Sequence, residues 1–116
     1  MRYVMLLEAA QPATPPPAEL MDAIMKLGAE ATAAGALLDN AGLLPSAAGA
    51  MITVTGGGLT VTDGPFAETK EMISYAVYSV RSKEEAVEWC SRFMKVHRDL
   101  WPEWAGTCRI LQVMEF

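Results

Sequence analysis

The apolar residues of this chain switch between the period of a strand and the period of a helix, and the order of those switches constrains the fold most. Residues 3–7 (YVMLL) form a continuous apolar run of strand formers, ended by Glu8 and the loop residues Gln11 and Pro12, and predict a strand buried on both faces. Beyond residues 14–17 (TPPP), Leu20, Ile24, Leu27, Ala31 and Ala34 recur at spacings of four and three, the stripe of one helix face. Glu19 and Asp22 suit the positive end of that helix, and Gly35 can close it. Residues 36–44 are ambiguous between strand and irregular extension. MITVT and LTVTD, on either side of the triple glycine 56–58, have the pattern of a hairpin. Residues 73–80 (ISYAVYSV) predict another strand. Ser82 with Glu85 forms a capping box that opens a second helix at Lys83, with apolar positions Ala86, Trp89, Cys90, Phe93 and Val96. Residues 108–116 (CRILQVMEF) predict the last strand.

Strand, helix, strands, strand, helix, strand is the order of a ferredoxin-like split βαβ sandwich, an α+β fold, with a β-hairpin inserted in the middle. Two helices cover only one face of such a sheet. Because residues 3–7 and 73–80 are largely apolar on both alternating faces, the second face also needs cover, and a homodimer supplies it most simply. A length of 116 residues suits one domain, residues 1–116, with one continuous core.

Nine basic and fourteen acidic residues leave a formal charge of −5, which repels phosphate backbones and argues against nucleic acid as a partner. The apolar stretch before Glu8 is too short for a signal peptide or a membrane span, so no membrane association and a cytoplasmic location are expected. Cys90 and Cys108 lie in separate patterns without the Cys and His spacing of a metal knuckle, and read as reduced thiols. The methionines fall mainly in helix and strand patterns and read as core filler. The triple glycine lacks the lysine and hydroxyl of a phosphate loop, and no serine sits in a nucleophile elbow. Neither a metal nor another cofactor is expected.

Residues 63–71 (DGPFAETKE) are too polar for a core strand. Asp63 can bond the amides that follow it, Gly64 permits a sharp turn, Pro65 fixes the next φ and Phe66 can anchor the loop. Turn chemistry alone can account for such a string as a seated loop. Glu68, Thr69, Lys70 and Glu71 also make a polar cluster in which a lysine between carboxylates could hold a small anion. On this reading the segment borders the main cleft, Asp63 shapes it and Lys70 meets an anionic ligand.

The contiguous string DGPFAETKE, with MRYVMLL, GALLDNAGLLPS and LWPEWAGTCRILQVMEF, resembles the DGPF or YCII-related family. The resemblance implies a ferredoxin-like fold of the dimeric α+β barrel type, with a cleft between sheet and helices in each subunit. It implies small organic acids as substrates of some relatives, and a regulatory alternative for others linked to sigma factors. In one branch a histidine on the first helix pairs with a following aspartate. Residues 19–35 here contain no histidine, so Asp39 could keep only the acidic half.

His97 is the one side chain that titrates near neutrality without perturbation, which makes it the default general acid or base, although a histidine there also complements a helix C-terminus. Trp101 and Trp104, around Pro102, are candidates for a pocket wall or a subunit contact. The candidate catalytic residues are therefore Asp63, His97 and Asp39, and the candidate ligand-binding residues are Phe66, Glu68, Lys70 and Trp101. Two functions fit them. One is an enzyme of acid/base proton transfer on a small organic acid; the other is a non-catalytic ligand-binding or regulatory module.

Overall fold

A computed structural model describes residues 1–66 and 69–115. The chain runs β1 (Arg2–Ala9), α1 (Ala18–Ala33), β2 (Leu37–Gly42), β3 (Ala50–Thr55), β4 (Gly58–Asp63), β5 (Glu71–Ser79), α2 (Lys83–Leu100) and β6 (Gly106–Gln112). It is a mixed α+β fold in which four strands form an antiparallel sheet in the order β2-β5-β1-β6, while β3 and β4 pair only with each other.

Local sequence explains the ends of most elements. Gly35, at φ +73, ends α1 in a Schellman arrangement: its amide donates to the Thr32 carbonyl and the Ala36 amide donates to the Ala31 carbonyl. Ser82 Oγ accepts from the Glu85 amide at the start of α2. Glu85 returns its carboxylate to the Arg81 amide, one residue before the position expected for a capping box. Gly56 and Gly57, at φ +57 and +79, form the two-residue turn between β3 and β4, where both central residues need positive φ.

The strand β1 alternates. Tyr3, Met5, Leu7 and Ala9 are buried toward the helices, whereas Val4, Leu6 and Glu8 on the other face are only half-buried, so within one chain the strand is not buried on both sides as expected. The helix-facing side packs with Ala76 and Tyr78 of β5 and with Ala86 and Cys90 of α2. Leu7 and Leu20 are the largest fully buried side chains, and truncating either to alanine would cost about 2–5 kcal/mol. The last strand begins at Gly106 and ends at Gln112, earlier at both ends than residues 108–116, because its ladder with β1 extends to the pair Ala9 and Gly106. Among the described residues no helix is long and apolar enough to cross a membrane.

Candidate functional site

The helices do not close completely onto the sheet. Between them lies a cavity of about 300 Å³, at the small end of the range of small-molecule sites. Its floor is formed by Met5 and Leu7 of β1, Ala76 and Tyr78 of β5 and Leu37 of β2. Leu20, Ile24 and Leu27 of α1 form the opposite wall, and the exposed Pro16, Met21 and Gly42 mark its rim. Phe93 and His97 of α2, with Trp101 and Trp104 beyond it, make an aromatic end wall. Gly28 and Ala31, small residues on α1, leave room where larger ones would fill the space.

His97 is 5% exposed and lies in that wall, which is more than complementing a helix end. Its Nδ1 is 2.8 Å from the Phe93 carbonyl oxygen. A carbonyl can only accept, so Nδ1 carries the proton and, in the neutral ring, Nε2 keeps a lone pair. Burial lowers the His97 pKa from its ordinary value, against a smaller opposing effect of the Phe93 carbonyl. The ring is packed edge-on to Phe93 and tilted against Trp104, each at a centroid distance of 4.6 Å, and Trp104 stacks on Trp101 at 6.3 Å. Gly106 makes this cluster possible: a Cβ there would lie 2.3 Å from the outer ring of Trp104.

Two buried polar atoms on residues of the lining, Ser74 Oγ and Trp101 Nε1, have no hydrogen-bond partner among the described residues. A buried polar group left unpaired costs about 1–3 kcal/mol, so a small side-chain shift that brought either atom to a ligand would be offset by the hydrogen bond gained.

The sequence candidates fall into separate places. His97 and Trp101 line the cavity together, while Asp39, Asp63, Phe66 and Lys70 are not in its lining. Asp39 is exposed on the sheet face opposite His97, where it accepts a 3.0 Å hydrogen bond from Tyr75 Oη, and that bond raises the Tyr75 pKa. Asp63 ends β4 opposite Ala50 and is exposed; the Gly64 amide beyond it donates to the Gly49 carbonyl and not to Asp63. Lys70 is exposed. Glu68 lies outside the described residues.

Gly64, Phe66 and Glu71 are instead pinned on a short 3₁₀ turn, Ser46–Ala48. Ser46 donates its amide to Glu71 Oε2 at 3.1 Å and its hydroxyl to Glu71 Oε1 at 2.9 Å, and its Oγ accepts from the Phe66 amide at 3.2 Å. A Cβ on Gly64 would sit 1.6 Å from the Ser46 carbonyl oxygen, so glycine is required there for close approach; its φ is not positive. The Gly64–Pro65 peptide is cis. Ser46 and Ser74 carry no sequence motif. The signal available for Ser74 was a polar residue on the same strand face as Ala76 and Tyr78.

Among the described residues no group of three or more His, Cys, Asp or Glu could hold a metal ion. Cys90 and Cys108 are free thiols.

These features define a class: an α+β domain with a mostly apolar cavity held between one helical layer and one antiparallel sheet. The chain belongs to the YCII-related domain family, whose model matches residues 1–116, the whole chain. No curated protein matches it significantly.

Proposed function

We propose that this domain, residues 1–116, binds a small molecule in the cavity between its helices and its sheet and does not convert it. The observation that carries the reading is the pair of buried atoms without a partner among the described residues, Ser74 Oγ and Trp101 Nε1, on residues of a mostly apolar cavity that His97 also lines. Catalysis by proton transfer is the second reading, favoured by the fixed tautomer of His97, which leaves Nε2 free to act as a base. It is the weaker of the two, because no described carboxylate or ammonium group lines the cavity to serve as the complementary acid or to hold an anionic substrate. A regulatory role would rest on the same binding event.

The strand order β2-β5-β1-β6 supports a ferredoxin-like sandwich, and two surfaces support a homodimer of the α+β barrel type. On the uncovered sheet face, Val4 and Leu6 are half-buried and Leu111 is exposed. On the hairpin, Ile52, Val54, Leu59 and Val61 share one face, and all are exposed. A second copy would remove both surfaces from water.

Gly28→Leu tests the binding reading. A Cβ at Gly28 meets nothing within 4 Å, so the leucine side chain has room to enter the cavity, and helix propensity improves by up to ~1 kcal/mol. In a thermal-shift screen of small neutral and acidic compounds, hits that stabilise the native chain should have no effect on the variant, although the variant itself melts no lower. Hits retained by the variant would place binding elsewhere. Light scattering tests the dimer, and a monodisperse monomer at micromolar concentration would remove it.

A further inference from the structure

Among the described residues the lining of the cavity contains no aspartate, glutamate, lysine or arginine. The polar side chains on its side of the sheet are uncharged: Asn40, Ser74, Tyr78, neutral His97 and the indoles of Trp101 and Trp104, the Tyr75 hydroxyl being on the opposite face with Asp39. Trp101 is 4% exposed, and its indole N–H can only donate. Ser74 Oγ can donate or accept, and His97 Nε2 accepts. A mainly apolar enclosure whose polar groups are uncharged donors and acceptors, among them the Trp101 N–H, the Ser74 hydroxyl and His97 Nε2, is complementary to a molecule with its own acceptor and its own donor. It is a poor host for a full charge. A carboxylate would leave water without meeting a cation, and two neutral hydrogen bonds do not offset the solvation lost by an ion.

We infer that the cavity selects an uncharged, mainly apolar molecule that bears a carbonyl-type acceptor for the Trp101 N–H and an N–H or O–H donor for His97 Nε2, with Ser74 Oγ as the second polar contact. This deepens the binding reading above and rests on it. A cavity of about 300 Å³ filled to the packing density of a protein interior holds roughly ten to fifteen non-hydrogen atoms. A two-ring aromatic amide has that size, and its flat face suits the ring wall of Phe93, His97 and Trp104.

The test compares three probes of one shape, 2-naphthamide, 2-naphthoate and 2-methylnaphthalene, by titration calorimetry at about pH 8, where the acid is ionised and His97 is neutral. Benzamide, benzoate and toluene form a smaller matched set that separates chemistry from fit. The amide of at least one set should bind about tenfold or more tightly than both its carboxylate and its hydrocarbon. Ser74→Ala removes only the partnerless oxygen, so it should weaken the amide about tenfold without lowering the melting temperature of the free protein. Trp101→Phe, which keeps the ring wall but not the N–H, should narrow the gap between amide and hydrocarbon.

A carboxylate that binds as tightly as its amide overturns the inference and leaves the cavity reading standing. An amide preference unmoved in Ser74→Ala, and in Trp101→Phe where that variant folds, overturns the assignment of the polar contacts. Failure of all six probes in the native chain, with no other compound lost on Gly28→Leu, overturns the binding reading itself.

Discussion

Glu71 and Ser46 are joined by two hydrogen bonds, one to each carboxylate oxygen, from the Ser46 amide at 3.1 Å and the Ser46 hydroxyl at 2.9 Å. The pair ties the first residue of β5 to the 3₁₀ turn before β3, and so fixes both ends of the chain segment that carries the hairpin. Because the contact is partly buried and the acceptor is a carboxylate, Glu71→Ala should lower unfolding stability by about 1–3 kcal/mol in urea denaturation. Glu71→Gln, which keeps an acceptor oxygen, should lose less. Equal losses for the two substitutions would show that the carboxylate contributes through something other than these bonds.

Gly64 is the second member of the same clasp. A methyl group there would meet the Ser46 carbonyl oxygen at 1.6 Å and the Ala47 Cα at 3.1 Å, both backbone atoms that cannot turn aside. Gly64→Ala should therefore destabilise the protein by about 1–3 kcal/mol or more and shift the amide resonances of residues 46–49. By contrast, Asp63→Ala should be close to neutral, since the exposed Asp63 side chain has no hydrogen bond among the described residues. A larger loss at Asp63 than at Gly64 would reverse this account of the turn.

The buried His97 sets a pH dependence whose sign follows from the lowered pKa. Below its ordinary value of 6.5 the unfolded chain takes up a proton that the folded chain resists. Its contribution to stability is then fully present above that pH and is lost as pH falls through the folded value. The unfolding free energy should drop between about pH 7 and about pH 5, ahead of most carboxylate titration, and His97→Gln should flatten that limb of the curve. Stability that rises on acidification across this window, or an unchanged slope in the variant, would contradict the burial of a neutral imidazole.

What was legible in the sequence was local. Gly35, Ser82 and the glycines 56–58 each announce an element end through chemistry confined to a few neighbours, and each does so in the structure. The cavity was not local. His97 resembled a helix-end residue because its burial depends on Trp104, which arrives from the next loop and lies flat only because position 106 has no side chain. In the linear chain Gly64 has the pattern of a turn residue, whereas its requirement comes from the backbone of Ser46, a contact no sequence period encodes. Ser74 was hidden inside a strand of good strand formers, although its parity with Ala76 and Tyr78 already aimed it at the helices. Asp39 and His97, both plausible acid/base groups in the linear chain, are separated by the sheet because a bulge between Leu37 and Asp39 puts Asp39 opposite Val77.

The two cysteines, far apart in the chain, meet between α2 and β6 and should differ in reactivity. Tyr78, Cys90 and Cys108 pack together in the core, with Cys90 on α2 and Cys108 on β6. Interaction with the Cys108 thiol and burial push the Cys90 thiol well up, while interaction with Cys90 pulls Cys108 down by stabilising its thiolate. Alkylation needs the thiolate and access to it, and Cys90 is 2% exposed while Cys108 is half-buried. Iodoacetamide on the native protein should therefore modify Cys108 about tenfold or more faster than Cys90, as read by peptide mass spectrometry over time. In denaturant the difference should vanish, because both the contact between the thiols and the burial are gone. Labelling of Cys90 at the same rate as Cys108 in the native state would mean that α2 opens from the sheet on the timescale of the reaction, and the polarity of the thiol pair would then be wrong.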